Sequence, residues 1–310
     1  GKNRLDIRDL KKENKEENSG VTVTEQYISE DGSVRAVKGL KSPDNITGGY
    51  LVQLISDEKY DTIPSGFYTN LGKAYEIVSP SNATIEEAEY IQNVFNEMER
   101  AITESEETEL TKYIDLESWG QKYLIEEFFH DPDASLASEF FYKKADDPLI
   151  YAGPIWDFDR ALGSYGIDRN YMDLAETTGY YSVYANELMK KDIFYDYVKE
   201  KFYELICPYM ENEAEQDVEE WITEIQNSAE MNHIRWEGQF AGYYDTTKAS
   251  AEYIITFLNK RLQFFRDTFE GTAQYHSVVF RDYDGMVVSE EIVRHGEYIQ
   301  NVPDVSSYVA

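Results

Sequence analysis

A single cysteine in 310 residues excludes an intrachain disulfide. Cys207 sits in the apolar run YELICPYM, where a buried, inert thiol is expected rather than a nucleophile. Histidine is almost as scarce. His130, His233, His276 and His295 are too scattered for a zinc-like ligand spacing, and only His130 lies near other functional side chains, where a helix-end role suits it. There is no signal peptide, and no apolar run is long enough to span a bilayer. Cations are in short supply, with 29 Lys and Arg against 60 Asp and Glu, a formal charge of -31. Such a field repels nucleic-acid phosphate and anionic membranes, which excludes both as general partners. It also opposes nucleotide, so an ATP site needs local cations or a bound metal.

What is present is globular. A hydrophobic content of 42% with 15% aromatics is enough for one large domain and an appendage. Residues 1–45, with the mixed-charge run KKENKEEN and the alternating Val21-Thr22-Val23-Thr24, read as a loosely structured, partly β-like insertion. From Gly48-Gly49 to Ile55 the sequence predicts a strand, and shorter β runs follow at Gly66–Asn70 and Ala74–Val78. Thr84-Ile85-Glu86-Glu87 is a capping box, and Ile85, Ala88, Ile91, Phe95, Met98 and Ile102 recur at helical spacing behind it. Glu87 is thus a cap; alternatively it pairs with a nucleotide-site lysine, for which Lys73 is the nearby candidate. Asp115 opens a second helix, with Leu116, Trp119, Tyr123, Leu124 and Phe128 on its apolar face. Helices are expected over about Asn186–Ile206, Asn212–Gly238 and Thr246–Phe269. On the second of these Asn232, Arg235 and Trp236 share a side, with Arg235 either an ion-pair and packing residue or a phosphate ligand. At the C-terminus His276–Arg281 and Met286–Val293 flank Tyr283-Asp284-Gly285 as a hairpin, and Asp282-x-Asp284-Gly285 lacks the ligand spacing of an EF-hand.

The stretch His130–Gly163, HDPDASLASEFFYKKADDPLIYAGPIWDFDRALG, concentrates the chemistry. A polar loop holding Asp131 and Asp133 precedes two β runs, Glu139–Tyr142 and Leu149–Ala152, and Gly153-Pro154-Ile155-Trp156-Asp157-Phe158-Asp159 follows. A hairpin returns the chain beside its own start, so the Asp133 loop and the Asp157 turn can face one another. Two acidic sites so placed suit a hard cation and a hydroxyl, the layout phosphoryl transfer needs. The segment 163–184, rich in Gly, Tyr and Asp and without period, reads as a long surface loop or as a substrate loop.

GPIWDFD, preceded by a YIDLxSW helix, an E-x-F-x-x-x-x-D loop and an S-x-F-x-Y-K strand, resembles the CotH kinase-like family, named after a spore coat protein. The resemblance runs from about Gly48 to about Phe269 and includes Ser228, Asn232, Arg235 and Trp236. It implies an α+β, atypical protein-kinase-like fold: a small β-sheet, then a mainly helical lobe, with a short C-terminal β-hairpin module. The corresponding divisions are 1–45, a remnant or insertion; 46–272, the kinase-like domain; and 273–310, which resembles half of a β-repeat of bacterial surface proteins. The charged opening GKNRLDIRDL looks like the segment after the small lobe's central strands, which implies that the lobe carrying the nucleotide lysine is missing.

By the same resemblance Asp133 acts on the acceptor hydroxyl, and Asp157 binds Mg2+ or Mn2+ with Asp159 beside it. Ser138 stands where the family often has Asn as a further metal contact, and Lys73, Glu87 and Arg235 are the candidates around ATP. The partner is a protein Ser or Thr hydroxyl, and the setting a bacterial cell surface or exterior. The first reading is therefore a metal- and ATP-dependent phosphotransferase, with reduced or no activity in this chain. A non-catalytic surface or adhesion protein on a kinase-like scaffold is the second. A two-carboxylate glycoside hydrolase ranks last, because no acid pair has a recognisable spacing.

Overall fold

In a computed structural model the described residues are 7–23, 25–104, 107–131, 138–162, 183–236, 247–271, 275–281, 287–294, 299 and 302–303. The chain folds as two compact units. The first takes in residues up to 126 with 138–158 and 183–198; the second takes in 127–131, 159–162 and the chain from 199 onward.

The first unit is built on a seven-stranded antiparallel sheet. Its strands are β1 (Gln26–Ile28), β2 (Val34–Val37), β3 (Tyr50–Ile55), β4 (Gly66–Tyr68), β5 (Ala74–Ser79), β6 (Phe140–Lys143) and β7 (Ile150–Ala152), in the order β1-β2-β4-β5-β3-β6-β7. Tyr50-Leu51-Val52-Gln53-Leu54-Ile55 is nearly all apolar because β3 is central, paired with Leu54↔Tyr75 on one side and Val52↔Phe141 on the other. Helix α3 (Ile85–Thr103) packs on this sheet, and the rings of Phe67, Tyr75, Phe95 and Phe141 meet edge-on or stacked in the core. The other helices of this unit are α1 (Leu10–Glu17), α2 (Asp57–Tyr60), α4 (Glu107–Leu110), the body of α5 (Leu116–Phe128), α6 (Val183–Leu188) and most of α7 (Asp192–Lys201). Asp115 accepts from Ser118 N–H at the start of α5, as its position predicts.

The N-terminal segment differs from its sequence reading. It contains α1 and two strands, and every residue of β2 is buried. The charge run concealed this, because α1 buries only Leu10 and Asn14, one turn apart on a single face. Gly49, at φ +98°, is what lets this helix approach β3: a Cβ there would lie 2.8 Å from the Arg8 carbonyl oxygen.

Asn14 Nδ2 donates to Glu87 Oε2 at 2.8 Å, and the Thr84 N–H donates to the same oxygen at 2.9 Å, completing the capping box. Glu87 Oε1 and Asn14 Oδ1 are buried acceptors with no donor. Burial, opposed by these hydrogen bonds, raises the Glu87 carboxyl above the usual range. A raised folded pKa means that the group's contribution to stability is complete below the ordinary carboxylate pKa and fades as pH rises through the folded value. Glu87→Gln keeps the cap and carries a permanent N–H donor. We expect it to match the wild type in acid and to exceed it at neutral pH, with a flatter profile, in urea unfolding over a pH series.

In the second unit the helix expected over Asn212–Gly238 forms at 214–235, but the one expected to end at Ile206 does not run as one α-helix. A π-helical turn at Phe202–Ile206 leads into α8 (Cys207–Asn212), and α9 (Ala214–Arg235) follows. Pro208, lacking an N–H, cannot complete the ladder of a continuous helix. Upstream, in the first unit, α6 stops at Leu188 and α7 restarts at Asp192, whose N–H is bonded by the Glu107 carboxylate at 2.7 Å. Cys207 is buried and its thiol is pushed up by burial, as befits an inert side chain. Helix α10 (Thr247–Glu270) packs Phe265 and Phe269 on Phe202. The hairpin arms β8 (Tyr275–Arg281) and β9 (Val287–Arg294) pair antiparallel; the turn Tyr283-Asp284-Gly285 lies outside the described residues. Among the described residues no helix is long and apolar enough to cross a membrane.

Candidate active site

Helix α5 ends by running its last carbonyls into a buried cation. A helix leaves its final C=O groups without intrahelical donors, and a positive charge there also answers the macrodipole. Arg261 of α10, wholly buried, donates from Nη2 to the Glu127 carbonyl at 2.6 Å and to Glu127 Oε1 at 2.8 Å. Its Nε reaches the Phe128 carbonyl at 3.4 Å. His130, at φ 53°, then turns the chain, and Asp131 follows with 1% of its surface exposed. Asp133 lies outside the described residues. The chain is described again at Ser138, half-buried and also at positive φ (59°).

Beyond Ser138 the β6–β7 hairpin forms as the sequence predicts, pairing Phe141 with Ala152 and Lys143 with Ile150. Lys143 stitches the hairpin's turn by donating to the carbonyls of Thr47 (3.1 Å), Lys144 (3.2 Å) and Asp147. Desolvation lowers its pKa. After β7 the chain enters the acidic turn, where Ile155, Trp156 and Asp157 are all exposed. Asp157 has φ 66°, a left-handed conformation that Asp tolerates better than most residues. Asp159 is exposed in the 3-10 turn Phe158–Arg160.

Gly153 N–H donates to Phe140 O at 2.7 Å in the first unit, which sets the start of the acidic turn beside the start of β6. In the second unit Leu162 N–H donates to Phe129 O at 2.8 Å. Trp156 adds a ring contact with Phe140, centroids 6.2 Å apart.

Glu87 is held in the cap, and the carboxylate in the field of Lys73 is Glu99, twelve residues further along α3 or roughly 18 Å by helical rise. Glu99 accepts from the Tyr184 hydroxyl and, at 3.4 Å, from Leu71 N–H; burial raises its pKa and Lys73 opposes the rise. The Tyr184 hydroxyl also bonds that of Tyr75 at 2.7 Å. Arg235, in the second unit, is exposed with its guanidinium 5.3 Å from the Trp236 ring.

A cavity beside β6 is about 30 Å³, lined by Trp119, Lys122, Glu126, Glu139, Phe141 and Tyr184 among others. That is room for one water, not for a nucleotide. Within it Lys122 pairs with Glu126 at 2.7 Å and lies 3.9 Å from Glu139.

Arg261, Glu127 and Glu99 were not singled out from sequence. Each has another charge beside it, in Glu126-Glu127, Lys260-Arg261 and Glu99-Arg100, a pattern that ordinarily marks the solvent face of an amphipathic helix.

A comparison with individual curated proteins finds no match. Against protein families, the chain matches the one described as CotH kinase protein over residues 10–265, a span that includes α1 and both N-terminal strands. With most of its length in that match, and with an antiparallel sheet followed by a mainly helical half, the chain belongs to the CotH kinase family.

Proposed function

We propose that this chain transfers the γ-phosphoryl group of ATP, with Mg2+ or Mn2+, to a Ser or Thr hydroxyl of a protein. The observation that supports this best is the Gly153 N–H to Phe140 O hydrogen bond, which within the first unit brings the start of the acidic turn beside the start of β6. Asp157 lies in that turn, and Asp133 precedes β6 in the sequence.

The donor chemistry fits a divalent ion. Asp157 offers an exposed carboxylate, Asp159 a second two residues on, and Ser138 a neutral oxygen. Among the described residues no cluster of three His, Cys, Asp or Glu is arranged around a metal. Magnesium is commonly held by one or two carboxylates plus phosphate and water oxygens, so the set proposed here suffices. A bound ion would supply positive charge against the negative charge that builds on the phosphate during transfer. Asp133 orients the acceptor hydroxyl and receives its proton as the new oxygen–phosphorus bond forms and the bond to ADP breaks. Lys73, in the field of Glu99, is the phosphate-binding cation in this reading, and Glu87 and Arg235 have no part in it.

The acidic surface and the β-hairpin tail support a bacterial surface or exterior setting. An acceptor segment of low negative charge suits a chain of net charge -31.

Melting temperature with and without magnesium and ATP tests the nucleotide site. A ligand at about 100 times its dissociation constant adds about 2.7 kcal/mol to the stability of the native state. We expect that gain in the wild type and little in Asp157→Asn. An equal gain in both, or none in either, favours the non-catalytic scaffold.

A further inference from the structure

Within the first unit, two buried oxygens that lack a donor among the described residues belong to one pair of side chains, Glu87 Oε1 and Asn14 Oδ1. The same two side chains are already joined through their other atoms. Asn14 Nδ2 donates to Glu87 Oε2 at 2.8 Å, and the Thr84 N–H donates to that same oxygen at 2.9 Å. Both donors therefore sit on Oε2. A buried acceptor without a donor is costly, and more so if it carries charge. One proton removes both faults: on Oε1 it turns an acceptor into a donor, and Asn14 Oδ1 is the acceptor across the pair. A carboxylic acid and a primary amide are complementary in this way, each offering one donor and one acceptor. The charged and titratable groups around Glu87 are Glu86, beside it on α3, and Tyr50 of β3, which stacks on Tyr90 of α3. Arg8, just before α1, acts on Tyr50 and is paired with Glu13.

We propose that Glu87 and Asn14 form a proton-dependent clasp between α3 and α1, closed by an O–H from Glu87 Oε1 to Asn14 Oδ1 and opened when that proton leaves for water. Leu10 and Asn14 are the two buried side chains of α1, so the clasp is half of this helix's buried hold. The ends of α1 are tied outside α3, by Arg8 to the Asn45 carbonyl at 2.9 Å and by Asn18 to the Lys41 carbonyl at 2.8 Å. Loss of the proton thus loosens α1 locally rather than unfolding the sheet beneath it. Burial favours the protonated carboxyl, so the clasp is closed in acid and opens as pH rises through the folded value. Nothing in it depends on phosphoryl transfer.

Hydrogen exchange over residues 10–17, read by mass spectrometry on the full chain from acid to mildly alkaline pH, tests the clasp. Rates for the wild type and for Asn14→Leu are taken as ratios to Glu87→Gln at each pH, which cancels the intrinsic pH dependence of exchange. In Glu87→Gln an N–H that cannot ionise replaces the O–H. We expect the wild-type ratio to stay near one in acid and to rise about tenfold as Glu87 ionises. Asn14→Leu, which has lost the acceptor, should exchange about tenfold faster than Glu87→Gln even in acid. A wild-type ratio that is flat with pH overturns the clasp, and so does a rise shared equally by the amides of α3. Acid protection of α1 that survives in Asn14→Leu overturns it as well. Alkaline protection restored by sodium chloride but not by choline chloride would assign the two oxygens to a bound cation and overturn the proton.

Discussion

Asp157→Asn is expected to lower phosphoryl transfer by about 10³-fold or more while leaving the melting temperature unchanged or slightly higher. Removing a single group that stabilises developing charge in a transition state costs about 10²–10³-fold, and in the proposed reading Asp157 would hold the ion that supplies such charge. The backbone makes Asn the informative replacement. Asp157 has φ 66°, a region that Asn and Asp enter several-fold more often than most residues, whereas Ala would add strain of about 1–2 kcal/mol. The side chain is exposed and two residues from Asp159, so losing its charge relieves local repulsion in a chain of net charge -31. ADP formation measured beside the thermal melt separates the two effects. A variant that melts like the wild type and still turns over at its rate removes Asp157 from the chemistry.

Phe141→Ala should cost about 3–5 kcal/mol, the range for a large side chain deleted from a packed core. Phe141 is 1% exposed, and its ring meets those of Tyr75 (6.1 Å), Phe95 (6.0 Å), Trp119 (5.0 Å) and Tyr184 (6.4 Å). These come from β5, α3, α5 and α6, so no single neighbour can move to fill the void. Lys122 Nζ lies 5.7 Å from the ring centroid and would lose that partner as well. The void would also merge with the small cavity that Phe141 already lines. Urea unfolding should show a lower midpoint with an unchanged slope. A loss under 1 kcal/mol would mean that β6 is not locked into the core as described. Because β6 carries the Phe140 carbonyl that seats Gly153, the variant should also lose activity at temperatures where it remains folded.

The elements legible in the sequence are those whose signal is local. The capping box at Thr84 and Glu87, the 3.6-residue period of α3 and the apolar run of β3 each follow from a few adjacent residues. They appear where expected. The hairpin of β6 and β7 and the exposed acids after it were equally readable. The N-terminal sheet edge was not, because β2 is only four residues long and follows a charge run whose helix buries two positions. The break at 189–191 and the π turn escaped because an apolar period continues across both, and in the π turn the backbone hydrogen bonds continue as well, one residue longer in spacing. In the second unit the buried pair of Arg261 with Glu127 was not legible either. They lie more than 130 positions apart in the chain, and nothing local to either says that the other neutralises it. Lys73 shows the same limit: its nearness to Glu99 rather than Glu87 is set by how α3 lies on the sheet.

The central claim is that Asp133 and Asp157 serve one reaction centre. A double-mutant cycle on the rate of ADP formation, comparing Asp133→Asn, Asp157→Asn and both together, tests it most directly. Groups that act as a unit are strongly non-additive, so the double variant should be little slower than the slower single one. Losses that multiply, or an Asp133→Asn variant with wild-type turnover, would contradict a shared site.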